Sequence, residues 1–315
     1  QAIVRELLAH GWQVTAATRK HRLPEGCAEG CDLAVGDADA PGQLDRWAAG
    51  HDAVFDAAAP YPMHLFQGVA AGQPAPVAHA AVRMSRLLQA VQRAGAALLH
   101  VSSCTTLPRP TGESALQALE AAARRRLHPY FAAKATMEGL ALAAAAQGAP
   151  VAVINPTACL GPWDRRAREL CVLPQLVSGS VPALVRQPLN VVDVRDVACA
   201  ARRVLEARVY GQPVPVAGHD CRADELAVAV CRLAGVPAPR RRWPARLVAG
   251  GMLSVEAGWA LLQRPSPAPA LGTLLVLDSH AMPPGDVQRR LGVLPRPLTE
   301  TLRDALDWYR EIGYC

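Results

Sequence analysis

Residues 98–107 read LLHVSSCTTL and residues 128–143 read HPYFAAKATMEGLALA. The first is an apolar run ending in Ser102 and Ser103, the pattern of a buried strand that opens into a polar turn. The second is rich in Ala and Leu and reads as a helix. On a helix, Tyr130 and Lys134 share one face because they are four residues apart. The phenol and the ammonium then point into one cleft. A nearby ammonium favours the phenolate and lowers the tyrosine pKa from its reference of about 10. Tyr130 is thereby a usable general acid and base near neutral pH. A hydroxyl at the end of the adjacent strand can hold a substrate oxygen. Such a trio suits hydride transfer at a carbinol or carbonyl carbon. Tyr-x-x-x-Lys alone is common, so the reading rests on the strand and the Ser-Ser pair before it.

Outward from this stretch, strand and helix signals alternate. Ala2 to His10 is an amphipathic helix ended by Gly11, and Gln13 to Thr18 is a strand. Cys31 to Val35 and Ala53 to Ala58 are further strands, with a helix over Leu44 to Ala49 between them. A long helix covers Val77 to Ala94, then come a strand over Ala97 to Ser102, helices over Leu116 to Arg126 and Ala132 to Gln147, and a strand over Val151 to Asn155. This rhythm predicts an α/β fold: a doubly wound, Rossmann-like parallel sheet with helices on both faces. Ligands of such sheets bind beyond the carboxyl ends of the strands. Thr18, Asp37, Ala58, Ser102 and Asn155 fall at those ends. After Pro156 the rhythm breaks into short strands over Leu189 to Val192 and Gly211 to Val216, helices over Val194 to Ala207, Ala223 to Ala234 and Leu298 to Ile312, and Pro-rich loops. Residues 1–155 therefore read as a dinucleotide-binding domain. Residues 156–315 read mainly as a smaller, mixed substrate lobe, with 189–216 returning to the sheet.

A hydrophobic content of 51% with 19% charged residues builds a packed core easily. The net charge of +6 has no accompanying nucleic-acid motif, so no nucleic-acid partner is expected. Two Arg runs stand out, 124–126 and 240–242, and both read first as solvated loops and helix ends. Nine Cys without a zinc-type set point to no metal site and to a reducing, cytoplasmic setting. Only Cys27 and Cys31 are close together. No run of about 20 apolar residues could span a bilayer. Leu247 to Leu262 comes nearest and reads as a buried or substrate-facing helix; peripheral membrane contact through it and the Arg run 240–242 stands as a further reading that ranks low.

Eight fragments, in order, resemble the extended short-chain dehydrogenase/reductases, a group that includes nucleotide-sugar epimerases, dehydratases and dihydroflavonol-reductase-like enzymes. They are AIVRELLAHGWQVTAATR, GDADAPGQL, DAVFDAAAPYP, LLHVSSCTTL, the Tyr130/Lys134 pair, VAVINPTACLGPWD, LNVVDVRDVACAARRVLEA and RRLGVLPRPLTETLRDALDWYREIGY. INPTACLGPWD and VPALVRQPLNVVDVRDVA are most similar to hopanoid-associated sugar epimerases. The resemblance implies that Tyr130 is the catalytic acid/base, that Lys134 lowers its pKa and holds the nicotinamide ribose, and that Ser103 orients the substrate oxygen. Ser102, Cys104 and Thr105 stay open as alternatives to Ser103. It further implies that Asp37 and Ala38 meet the adenine, that Ala58 and Ala59 line the cofactor, and that Pro156 and Thr157 border the nicotinamide. NAD sites put a carboxylate at the end of the second strand. Here that end is Thr18-Arg19-Lys20, and two cations suit the 2′-phosphate of NADP, with NAD as the alternative.

The resemblance also marks departures. The first strand of the family sheet and its G-x-x-G-x-x-G turn, which meets the pyrophosphate, do not occur in this sequence, and about a dozen residues upstream of Gln1 are expected to carry them. Ala80 and Ala81 replace the family's Asn before Leu87-Leu88, which removes a water relay. Residues 65–76 are Gly/Pro-rich and reshape the substrate mouth. The expected function is NADP(H)-dependent oxidation or reduction at a carbonyl or secondary alcohol. A nucleotide-sugar epimerase with tightly bound NAD(P), and a non-catalytic NAD(P)-binding scaffold or sensor, stand as alternatives. Dehydration ranks low because Cys104-Thr105 stand where an acid would sit. The expected partner is a small-molecule substrate, Arg186 is placed to meet it if it is anionic, and a homodimer is left open.

Overall fold

A computed structural model of the chain describes residues 1–19, 30–58, 62, 76–109, 121–122, 128–165, 171–262, 264, 266 and 269–315. Among them the elements run in this order: α1 (Ala2–Ala9), β1 (Val14–Thr18), β2 (Cys31–Val35), α2 (Gln43–Ala48), β3 (Ala53–Asp56), α3 (Pro76–Ala94), β4 (Ala97–Val101), α4 (Pro129–Ala146), β5 (Val151–Pro156), β6 (Ala158–Leu160) and α5 (Val172–Val177). They continue with β7 (Leu184–Val185), β8 (Pro188–Asp193), α6 (Val194–Glu206), β9 (Pro213–Val216), β10 (His219–Arg222), α7 (Ala223–Ala234), β11 (Arg242–Trp243), α8 (Ala245–Leu261), α9 (Leu271–Asp278), α10 (Asp286–Arg290) and α11 (Leu298–Glu311). The helix read over Leu116 to Arg126 lies almost wholly outside the described residues, as do Lys20, Cys27, Ala59, the Arg run 124–126 and all but the last residue of 65–76.

Among the described residues, β6–β8 and β7–β11 are short parallel pairs, and the other parallel strands form two hydrogen-bonded groups. One is β1 with β2; the other runs β3-β4-β5-β9, all parallel. Strand side chains alternate between faces, and the core shows that alternation directly. Leu98, Val151 and Val153 point to one face, where they pack with Ala80, Met84, Leu87 and Val91 of α3 and Ala133, Met137 and Ala141 of α4. Leu99, Ala152 and Ile154 point to the other, against Val197, Ala200, Ala201 and Val204 of α6. The central strands are thus apolar on both sides, as expected of a parallel sheet covered by helices on both faces. The small Ala positions on α3, α4 and α6 let the helices lie close to it.

One detail of the sequence reading needs correcting. Within 189–216, β9 joins β5 of the parallel sheet and α6 packs on it, but β8 does not. β8 instead runs between β6 and β10 in a separate three-stranded sheet. Gly218 makes this crossing compact: a Cβ there would sit 2.1 Å from the carbonyl oxygen of Val191, so only glycine lets the β9–β10 turn rest on β8. A third apolar cluster unites α5, α7 and α11, and a fourth sets Tyr130 and Phe131 of α4 against α8 and α9.

Candidate active site

The site grows from the carboxyl ends of β1 to β5. Helix α4 begins just where its local sequence dictates. His128 has extended backbone and its ring nitrogen accepts from the N–H of Tyr130 at 3.2 Å, while Pro129, with no N–H to satisfy, takes the first turn. Tyr130 and Lys134 then stand one turn apart, and both are buried. The Lys134 ammonium donates to the carbonyl of Val101 at 3.0 Å and to that of Ser102 at 3.4 Å. It is thereby clamped to the backbone directly before Ser103. Burial lowers its pKa below 10.5, with the charges of Asp56, Cys159 and Glu138 opposing that shift. The Tyr130 ring meets Phe131 edge-on at 5.6 Å and lies in the cluster containing Ala249, Leu271 and Leu274. The Tyr130 ring therefore packs among apolar side chains.

The tertiary contacts distinguish Ser102, Ser103 and Thr105 among the candidate positions. Ser102 donates its proton to Glu138 Oε2. Ser103 is in the opposite state. Its Oγ accepts from the N–H of Thr105 at 3.3 Å and from the Thr105 hydroxyl at 3.0 Å. With its acceptor positions filled, the Ser103 proton is the part left to give. Thr105 is the partner that arranges this. Glu138 Oε2 accepts, besides Ser102, the Thr106 hydroxyl at 2.6 Å and the Asn155 amide at 2.7 Å. Asn155 Nδ2 also reaches Thr106 Oγ1 and the carbonyl of Ser103. One carboxylate on α4 thus holds the β4 turn and the end of β5 together.

A second buried group lies beneath Lys134. His100 Nδ1 and Asp56 Oδ2 are 2.9 Å apart, both sealed from solvent, and Arg83 reaches Asp56 Oδ1 at 3.4 Å. Burial alone would raise the Asp56 carboxyl. The hydrogen bond and charge of His100, with Arg83 and Lys134, outweigh it and hold the group below 3.8. Neither Asp56–His100 nor Glu138 was singled out from sequence. The available signal was an acid closing the apolar strand β3 and a glutamate one turn beyond Lys134 in an Ala/Leu helix.

The predicted cofactor residues fall at neighbouring strand ends. The Thr18 carbonyl accepts from the N–H of Gly36 at 2.9 Å, which sets Thr18 and the exposed Arg19 beside the Gly36-Asp37-Ala38 turn. Asp37 is exposed and its Oδ1 accepts from the N–H of Asp39 at 3.0 Å, while Ala38 packs against the α3/α4 cluster. Asp39 is tied to α3 by His79 at 3.0 Å and through its carbonyl by Arg86 at 3.4 Å. Ala58 is exposed next to Asp56, and Pro156 is buried at the end of β5 beside Thr157. Thr157 donates to Asn190 Oδ1 at 2.7 Å, linking this edge to β8. Arg186 lies apart from these ends, exposed and 3.9 Å from Asp224, which also pairs with Arg222 and Arg242. Among the described residues, no group of His, Cys, Asp and Glu side chains could hold a metal ion, and no helix is long and apolar enough to cross a membrane.

Comparison with known proteins gives the same outline. A family model described as the NAD dependent epimerase/dehydratase family matches residues 1–216. A protein of Synechocystis sp. named for dihydroflavonol 4-reductase is 26% identical over 320 residues, covering 99% of this chain and 92% of its own. Among solved structures, a nucleoside-diphosphate-sugar epimerase from Pseudomonas aeruginosa superposes with a TM-score of 0.71 at 20% identity, covering 99% of this chain and 94% of that one. MoeE5 in complex with UDP-glucose and NAD gives 0.69 at 20% identity, covering 99% and 95%.

Proposed function

Because the chain belongs to the NAD dependent epimerase/dehydratase family, and so is an NAD(P)-dependent oxidoreductase or epimerase, we propose that it is an NADP(H)-dependent oxidoreductase acting on a carbonyl or secondary alcohol. Tyr130 moves the proton, Lys134 supports it, and Ser103 holds the substrate oxygen. The observation that carries this reading is the pairing of a buried Lys134, clamped on the carbonyls of Val101 and Ser102, with a Ser103 whose oxygen is already filled by Thr105. The cation one helical turn from Tyr130 stabilises a phenolate electrostatically. A hydroxyl with its acceptor sites filled donates to the oxygen on which negative charge develops.

The residues present fit a dinucleotide at both ends of its length. Small or backbone-exposing positions (Ala38, Ala58) line the strand ends, Asp37 stands at the adenine end, and Lys134 uses two of its three N–H donors on carbonyls, leaving one for a ribose hydroxyl. Pro156 borders the other end. When bound, the nicotinamide cofactor supplies or accepts the hydride. Arg19, exposed after β1 and followed by Lys20, selects the 2′-phosphate of NADP. In this reading residues 1–155 carry the dinucleotide and residues 156–315 supply mainly the substrate lobe, in a cytoplasmic protein.

Reduction is favoured over epimerisation by the apolar cluster around Tyr130, which suits an apolar carbonyl compound better than a sugar. Dehydration is disfavoured because Cys104 and Thr105 stand where an acid would sit. The test is NADPH- and NADH-dependent turnover of a ketone panel by the wild type and by Tyr130→Phe. The variant should lose ~10²–10⁴-fold in kcat while its NADPH affinity stays within twofold of wild type by titration (about 0.4 kcal/mol at most). Activity surviving in Tyr130→Phe would remove the acid/base assignment, and equal use of NADH would remove the Arg19 assignment.

A further inference from the structure

Helix α8 has two apolar faces, and the fold uses only one. Inward, Ala245, Ala249 and Glu256 are buried, and Ala249 belongs to the cluster around Tyr130 and Phe131. Glu256, the only acid of the helix, accepts there from the N–H of Ala270 at 3.1 Å. Outward, Leu247 is 70% exposed, Val255 46% and Leu261 86%, and Leu262 at the C-cap is 67% exposed. Counting from Leu247, positions 251, 254, 255, 258, 261 and 262 follow helical spacing and make one stripe. Gly251 and Gly258 complete it, and a Cβ at either would meet nothing within 4 Å. Its one polar side chain, Ser254, donates to the carbonyl of Gly250 at 2.9 Å and so brings its own partner. With Trp243, this segment holds five of the ten exposed large hydrophobic side chains among the described residues, so the exposure is local.

Charge frames the stripe. Arg240, Arg241 and Arg246 stand before it and Arg264 after it, all exposed. Between residues 236 and 264 there are five Arg, and the single acid is the buried Glu256. An apolar helical face bounded by cations, with a Trp beside it, is the pattern of a helix lying in the plane of an anionic bilayer. Arg stems can lie along the apolar phase while their guanidinium groups stay in the headgroups. A second copy fits less well, because a two-fold contact would bring this arginine-rich surface against itself.

We propose that α8 docks the protein peripherally on an anionic lipid surface through Leu247, Val255, Leu261 and Leu262, with Arg240, Arg241 and Arg264 as the electrostatic contacts. This surface is independent of the Tyr130 chemistry and requires no turnover.

The test is flotation of the full chain with phosphatidylcholine vesicles, with and without phosphatidylglycerol. The protein should float with the anionic vesicles and be released by salt. Leu261→Glu combined with Leu262→Glu should weaken binding more than tenfold, with an unchanged thermal melt as the folding control. Arg240→Ala and Arg241→Ala should each weaken it about fivefold. Leu294→Glu, which removes an equally exposed leucine elsewhere, should change nothing. Failure to float at low salt, or unaltered flotation of the double leucine variant, would overturn the proposal. So would a dimer in sedimentation that the double variant dissociates and that does not float.

Discussion

Glu138 of α4 and Asn155 of β5 meet at 2.7 Å inside the protein, and the same carboxylate oxygen takes the hydroxyl protons of Ser102 and Thr106. Three segments far apart in sequence therefore close on one atom, next to the turn that carries Ser103.

Removing that atom should loosen the turn that presents Ser103. Glu138→Ala leaves the buried Ser102 hydroxyl without its acceptor and takes one acceptor from Thr106 and Asn155, which keep the Ser103 carbonyl, and should cost ~1–3 kcal/mol. Glu138→Gln keeps the shape and one acceptor and should cost less. Urea unfolding of both variants checks the order, and a larger loss from Gln than from Ala would refute it.

Among the neighbouring hydroxyls, Ser103→Ala should reduce kcat by ~10²–10³. Thr105→Val should cause a smaller loss, since it removes one of two bonds into Ser103 Oγ and leaves the backbone N–H in place. Ser102→Ala should act on stability more than on rate, because its proton goes to Glu138. Kinetics and thermal melts on the three variants distinguish these roles.

Acid should undo the Asp56 site. Its folded pKa lies below 3.8, so the native state binds fewer protons than the unfolded chain, and the stability it contributes is present above that value. That contribution falls as pH drops through the folded pKa. Asp193, held low by Arg195 and Thr301 against its own burial, behaves the same way. Asp56→Asn should therefore be less stable than wild type at neutral pH, with the gap closing at low pH. Urea midpoints measured from neutral pH down to about pH 2 read this; a pH-independent gap would count against it.

Base should reach Lys134 early. Desolvation lowers its pKa below 10.5, so its protonated form disappears at lower pH than for an exposed lysine. The alkaline limb of the kcat profile should fall below that value, and Lys134→Arg should shift it upward, because guanidinium keeps its proton. An unmoved limb would assign it to another group.

The local parts of this protein were legible in its sequence. Strand-helix alternation reads as a parallel α/β sheet because side-chain period depends only on backbone geometry, and the Tyr130/Lys134 face follows from helical pitch alone. By resemblance Ser103 is preferred with Ser102 left open, but the difference in hydrogen bonding between the two was not legible. It depends on Glu138, 36 residues from Ser102, filling one hydroxyl's hydrogen-bonding capacity and not the other's. The Asp56–His100 pair is likewise created by two parallel strands in register, 44 residues apart. β8 reads as an ordinary strand, and only its register with β6 and β10 assigns it to a separate sheet. The segment over Leu247 to Leu262 reads as a buried or substrate-facing helix, with membrane contact ranked low, because hydropathy cannot say which face has neighbours. That was decided when Ala249 and Glu256 turned toward the Tyr130 cluster and Ala270, leaving Leu247, Leu261 and Leu262 without cover.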